Sequence, residues 1–160
     1  MKKKSGHEKY MQIAICEAKK NLTKATGGPF GACIVKKNKV IAVTRNTVLA
    51  NDASCHAEIN AIRLASKKLK TYDLSGCRIY STTEPCPMCF SAIHWARIDS
   101  IIYGNNISDA KKIGFNELSI SNGLMKKLGK VKMKIICGVL RKNCNLLFRE
   151  WAALPNKQLY

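Results

Sequence analysis

Apolar and polar positions along this chain recur with two periods, and the switches between them outline its elements. Tyr10, Met11, Ala14, Ile15, Cys16, Ala18 and Leu22 follow helical spacing, so a first helix is expected over about residues 6–25, stopped by Gly27-Gly28-Pro29. Residues 30–36 and 39–44 read as two strands joined by a Lys37-Asn38 turn, a hairpin. Residues 46–54 read as loop and 55–69 as a second helix, followed by a strand at 77–82 and a third helix at 86–97. A strand at 100–103, a long loop at 105–119, a short helix at 121–128, a strand at 131–137 and a final helix at 141–153 complete the pattern. About five strands with helices between them imply an α/β chain: a three-layer α/β/α sandwich with a five-stranded mixed sheet and right-handed crossovers. One domain covering residues 1–160 is expected, with ligands beyond the carboxyl ends of the central strands.

Composition changes this picture little. The 46% hydrophobic content is ordinary for a globular protein, and no run of 18 or more apolar residues would span a membrane. The start Met1-Lys2-Lys3-Lys4-Ser5 lacks the apolar core of a secretory signal, so a cytoplasmic protein with reduced thiols is expected. Of the eight cysteines, Cys16, Cys33, Cys77, Cys137 and Cys144 read as small buried hydrophobes. Charge is more unusual. The net +18 invites a nucleic-acid partner, yet the cations are spread along the chain and comprise 22 Lys against 6 Arg, which suits a solvated surface better than specific phosphate or base contacts. Weak nonspecific RNA binding at low salt is the expectation.

The chemistry sits in two short segments, His56-Ala57-Glu58 and Pro85-Cys86-Pro87-Met88-Cys89. His56, Cys86 and Cys89 are the right types and number for a catalytic zinc site, which takes three protein ligands and keeps one position for water. Water held there reaches a pKa near ~7, so a nucleophile is available at neutral pH. Cys86 and Cys89, three apart at a helix start, point the same way, and a helix N-terminus favours thiolate. Cys55 is adjacent to His56, too close in sequence to aim at the same ion. Glu58, two residues beyond His56, suits a proton carrier from water to a ring nitrogen and then to a leaving amine. A structural zinc site usually has four closed ligands, and no second C-x-x-C is present. The order H-x-E then P-C-x-x-C is the signature of zinc-dependent nucleobase deaminases.

These residues resemble the cytidine deaminase superfamily and, within it, the bacterial guanine deaminases. The likeness runs from Gly27 to the last residue through Gly28-Pro29-Phe30-Gly31-Ala32, Asn51-Asp52, the two zinc segments, Trp95-Ala96-Arg97, Ser108-Asp109-Ala110, Gly114-Phe115 and Asn156-Lys157 with terminal Tyr160. The resemblance implies one catalytic zinc ion per subunit and a free purine base, guanine, hydrolysed to xanthine and ammonia. It implies Asn46 at the ring edge, Phe30, Ala57 and Trp95 lining the base pocket, and Asp109 as a second proton shuttle. It also implies a homodimer in which Tyr160 reaches into a neighbouring subunit's site by exchange of the C-terminal tail. The segment Gly138–Cys144 is closer to tRNA adenosine deaminases, so deamination of adenosine in tRNA is the alternative, and a noncatalytic RNA-binding member of the fold is a third reading that the intact Glu58 argues against.

Overall fold

The computed structural model describes residues 6–160; the basic start at residues 1–5 lies outside the described residues. Helix α1 (Gly6–Lys19) and the short α2 (Asn21–Lys24) precede the hairpin β1 (Gly31–Lys36) and β2 (Lys39–Arg45). Next come α3 (Ala57–Leu69), β3 (Cys77–Thr83), α4 (Pro87–Trp95) and β4 (Ser100–Asn105). Then follow α5 (Ile107–Lys112), α6 (Asn122–Leu128), β5 (Lys134–Ile136) and α7 (Arg141–Ala152).

The five strands lie in the order β2-β1-β3-β4-β5. β1 pairs antiparallel with both β2 and β3, whereas β3, β4 and β5 run parallel. The hairpin turn uses Lys37 and Asn38 with φ of 46° and 62°, the left-handed conformation that matches strand twist in a two-residue turn. Each parallel step is a crossover, one carrying α4 and the other α5 and α6.

Two cores sandwich the sheet. On one face α1 lays Tyr10, Met11, Ala14 and Ile15 against Cys33, Val35, Tyr80 and Ile102, joined by Cys144 of α7. On the other, α3 and α4 cover Ala32, Ile34, Ile79 and Ile101. The α3 contact is made by Ala57, Ala61 and Ala65, one small residue per turn, which lets the helix lie close to the strands. That closeness brings a Glu58 carboxylate within reach of β3. α4 contributes the bulk, Phe90 and Ile93; truncating buried Ile93 to Ala would cost about 2–5 kcal/mol.

The sequence expectations hold for the layers and the mixed sheet, with four local differences. The first helix breaks at Lys20, and α2 ends at Ala25 with φ 50°. Expected loop 105–119 contains α5, made stable by a reciprocal capping box between Asn106 and Asp109 and by burial of Ile107 and Ala110. The last strand is only three residues long. Cys16 and Cys137 are exposed rather than buried: Cys16 falls outside the α1 stripe and Cys137 follows the end of edge strand β5.

Candidate metal centre and adjoining cavity

Two helix starts build the centre. His56 is the N-cap of α3 and Cys86 the N-cap of α4, both with extended backbone, so neither side chain follows its helix outward. Pro87 at the first position of α4 fixes φ where no backbone donor is needed. Cys89 lies one turn further and is fully buried. One ligand atom each from His56, Cys86 and Cys89 fall within 4.8 Å of one another. Cys55, adjacent in sequence, is turned elsewhere: its thiol faces Asp52 Oδ2 at 3.4 Å and accepts from Arg63 Nη1 at 3.4 Å.

The donor set fits zinc. Two soft sulfurs and one imidazole are what a catalytic zinc site uses, and three protein ligands leave a position free. The electrostatics agree. A hydrogen bond from Cys89, then the neighbouring His56, hold the Cys86 thiol down to about 4, so it is a thiolate at neutral pH. The proton it displaces stays on Cys89, whose pKa is raised by the Cys86 hydrogen bond and by burial. Burial works against a charge on His56, but Cys86 and Glu58 outweigh it and raise its pKa.

Glu58 is buried in the first turn of α3, beside the ligands. Ser81 Oγ donates to its Oε1 at 2.7 Å and the Cys89 thiol approaches Oε2 at 3.5 Å. Burial raises its pKa, as suits a group that takes and returns a proton. Ser81 was not singled out from sequence, although β3 alternates and Ile79, Ser81 and Thr83 share the α3-facing side of the sheet, which is a signal for it.

A small cavity adjoins the centre. Phe30, Asn46, His56, Glu58, Thr83, Glu84, Cys86, Glu117 and Tyr160 line it. Phe30 forms an aromatic wall with Phe115 at 4.8 Å and Phe148 at 5.8 Å between ring centroids. Phe115 in turn meets Tyr160 at 5.4 Å. Asn46 is buried, its Oδ1 accepting from the Val48 N–H at 3.1 Å. Ala57 is buried at the start of α3 next to this wall, its carbonyl accepting from Thr44 Oγ1.

Three expected site residues stand differently. Asp109 does not line the cavity: its carboxylate accepts from the Asn106 N–H at 2.9 Å and from Arg141 Nη2 at 2.6 Å. Besides Glu58 the cavity is lined by Glu84, whose carboxylate accepts from the Ile107 and Asn122 N–H groups, and by Glu117. Burial, then the Cys86 charge, push the Glu117 pKa up to about 7. Gly114, at φ 108°, swings the chain back after α5 and carries Glu117 there. Trp95, at the end of α4, is 75% exposed and lines a separate surface groove with Ile62, Ser66 and Tyr72, because its position on α4 faces away from the sheet. Tyr160 closes the cavity of its own chain, where its hydroxyl accepts from the Gly28 N–H at 3.0 Å. The seven residues after Ala153 are long enough to return from α7 to the cavity of the same chain.

Residues 4–105 match the family described as the cytidine and deoxycytidylate deaminase zinc-binding region. The chain belongs to this deaminase family. It is 36% identical over 155 residues to guanine deaminase of Bacillus subtilis, covering 96% of this chain and 99% of the relative. A solved guanine deaminase from Nitrosomonas europaea superposes with a TM-score of 0.83 at 31% identity, covering 92% of this chain and 85% of that one. The tRNA-specific adenosine deaminase of Bacillus subtilis is 34% identical over 148 residues, covering 89% of each chain. This deaminase belongs to a zinc-binding family, and His56, Cys86 and Cys89 form the cluster that would hold the ion. Among the described residues no helix is long and apolar enough to cross a membrane.

Proposed function

We propose that this protein is a single-domain guanine deaminase, converting guanine and water to xanthine and ammonia. The observation that carries the reading is the seat of Tyr160, which lines the cavity with Phe30, Asn46 and Glu58 and is held by the Gly28 N–H and the Phe115 ring, a tail position that favours a free base over a polynucleotide strand.

Zinc at His56, Cys86 and Cys89 supplies the Lewis acidity that makes water nucleophilic at neutral pH. Phe30 stacks on the purine, and Asn46 hydrogen-bonds its edge, with Ala57 at the base of the wall. Glu58 takes the proton of the attacking water and passes it to a ring nitrogen as oxygen adds to C2. The amine then leaves C2 as ammonia after receiving a proton, and Glu117, protonated up to about pH 7 in the metal-free protein, is the second carboxyl placed to donate or hold that proton. Asp109 acts on this site only by holding α5 in place through Asn106 and Arg141. The homodimer belongs to the same reading, with the exposed face around Trp95 and Tyr72 available to a second copy, and so does a cytoplasmic location.

The test is incubation of the zinc-loaded protein with guanine, following xanthine by chromatography, with Glu58→Ala as control. Glu58-dependent xanthine is expected. No xanthine from folded, zinc-replete protein, together with inosine formed in tRNA, would move the assignment to the tRNA adenosine deaminases that the chain also resembles.

A further inference from the structure

Asn21 is 2% exposed, in the short helix α2, and belongs to neither zinc segment. Its amide is fully used. Nδ2 donates to the Gly28 carbonyl at 2.8 Å and to the Asn46 carbonyl at 2.9 Å. Oδ1 accepts from Thr26 Oγ1 at 2.8 Å and from Arg45 Nε at 3.1 Å. An amide has two N–H donors and two acceptor positions, so nothing is left over. Outside the cavity the arrangement is braced by Arg45 Nη1 on Glu17 Oε1 at 2.9 Å.

Of the two carbonyls that Asn21 holds, one belongs to the lining residue Asn46 and the other to Gly28, in the turn that leads into Phe30. Asn46 is itself a lining residue, and its N–H donates to the Phe30 carbonyl at 3.0 Å. Gly28 gives its N–H to the Tyr160 hydroxyl, and its carbonyl also accepts from the Phe30 N–H at 2.8 Å. The glycine turn is packed tightly against the same residue: a Cβ at Gly27 would collide with Asn46 Oδ1. Aromatic wall, base edge and closing tail thus share one buried amide, although they come from three distant parts of the chain.

We infer that Asn21 is the positioning residue of the base pocket, setting Asn46 and Phe30 against the Tyr160 closure without touching the metal or the proton carriers. The inference rests on the proposed base-binding role of those residues. It predicts a separation: loss of the Asn21 donors loosens base binding and tail closure while zinc and turnover stay nearly intact. A residue that only stabilised the fold would lower thermal stability without that selectivity.

Asn21→Asp keeps both acceptor positions toward Thr26 and Arg45 but cannot donate to the two carbonyls; Asn21→Ala removes both halves. In the zinc-loaded full chain, the rate at which carboxypeptidase releases Tyr160 is measured alongside KM and kcat for guanine. Each variant is expected to release Tyr160 about ten-fold faster and to show a KM about ten-fold higher, with kcat within about three-fold, the scale of one or two lost buried hydrogen bonds. Thr26→Val, at a half-buried hydroxyl outside the cavity, is expected to shift both readings the same way by less, and it carries the test if the Asn21 variants do not fold. Unchanged Tyr160 release in the folded variants, or a fall in kcat at constant KM, would overturn the inference. Should the wild type fail to convert guanine, the proposed function fails, and the release rates still decide the role of Asn21.

Discussion

The metal half and the base half of the cavity are built by opposite means. His56, Glu58, Cys86 and Cys89 come from two helix starts packed on the sheet, each a local motif of three to five residues. Asn46, Phe30, Glu117 and Tyr160 come from a strand end, a glycine turn, a loop and the chain terminus, joined by long-range contacts. The metal half is held by burial within the core. The base half is held by single hydrogen bonds and ring contacts at the surface of that core. On the proposed function, chemistry is seated on the helix starts and recognition on loops and the chain terminus, which is how loops on a fixed scaffold commonly divide the work.

Substitutions should expose this division, and the largest effect belongs to the metal half. Glu58→Gln is expected to lower kcat by about 10²–10⁴-fold while metal analysis still finds zinc, because only the proton carrier is lost. Chelation should abolish activity and lower the melting temperature. Because binding must strip the proton retained on Cys89, metal affinity should weaken as pH falls, and a titration against a competing chelator at several pH values checks this.

The base half should respond in binding first. Deleting Tyr160 removes the hydroxyl from Gly28 and the ring from Phe115, and is expected to raise KM by roughly ten-fold or more, with kcat affected less and zinc content unaltered. Glu117 lies between the halves. Glu117→Gln is expected to cost about 10²-fold in kcat. It should also flatten the pH dependence of stability in the metal-free protein. The folded chain keeps the Glu117 proton to about pH 7 against an ordinary 4.5, so the stability it contributes is complete below pH 4.5 and is lost as pH rises through 7. Thermal melts of wild type and variant across that window measure the difference.

The smallest effect is expected at Asp109. Its ion pair with Arg141 is partly solvated, with the Arg side chain 42% exposed, so Asp109→Asn should change stability by less than about 1 kcal/mol and kcat by less than about two-fold. A large loss of kcat would return Asp109 to the catalytic machinery and erase the contrast with Glu117.

Legibility in the sequence followed the same line. The two zinc segments could be read because ligand spacing on a helix start is a local property, and the alternation of strands and helices gave the layers for the same reason. Helix α5 was hidden because a six-residue helix offers too few turns for a period to emerge, although its Asn106-x-x-Asp109 cap was written in the chain. Asp109 and Glu117 were indistinguishable as carboxylates in one unstructured stretch; the turn at Gly114 and the charge of Arg141 separated them. Trp95 shares a helix with both thiolates, but its face of α4 points to solvent.

What the sequence determined by itself, then, was the zinc signature with its cluster of His56, Cys86 and Cys89, and the order of the layers, because each depends on residues close together in the chain. Which carboxyls line the cavity, where Tyr160 sits within its own chain, and which carbonyls the buried Asn21 holds were decided only by the tertiary structure. Those depend on where distant segments meet, and an orientation set by long-range packing leaves no periodic trace in the sequence that encodes it.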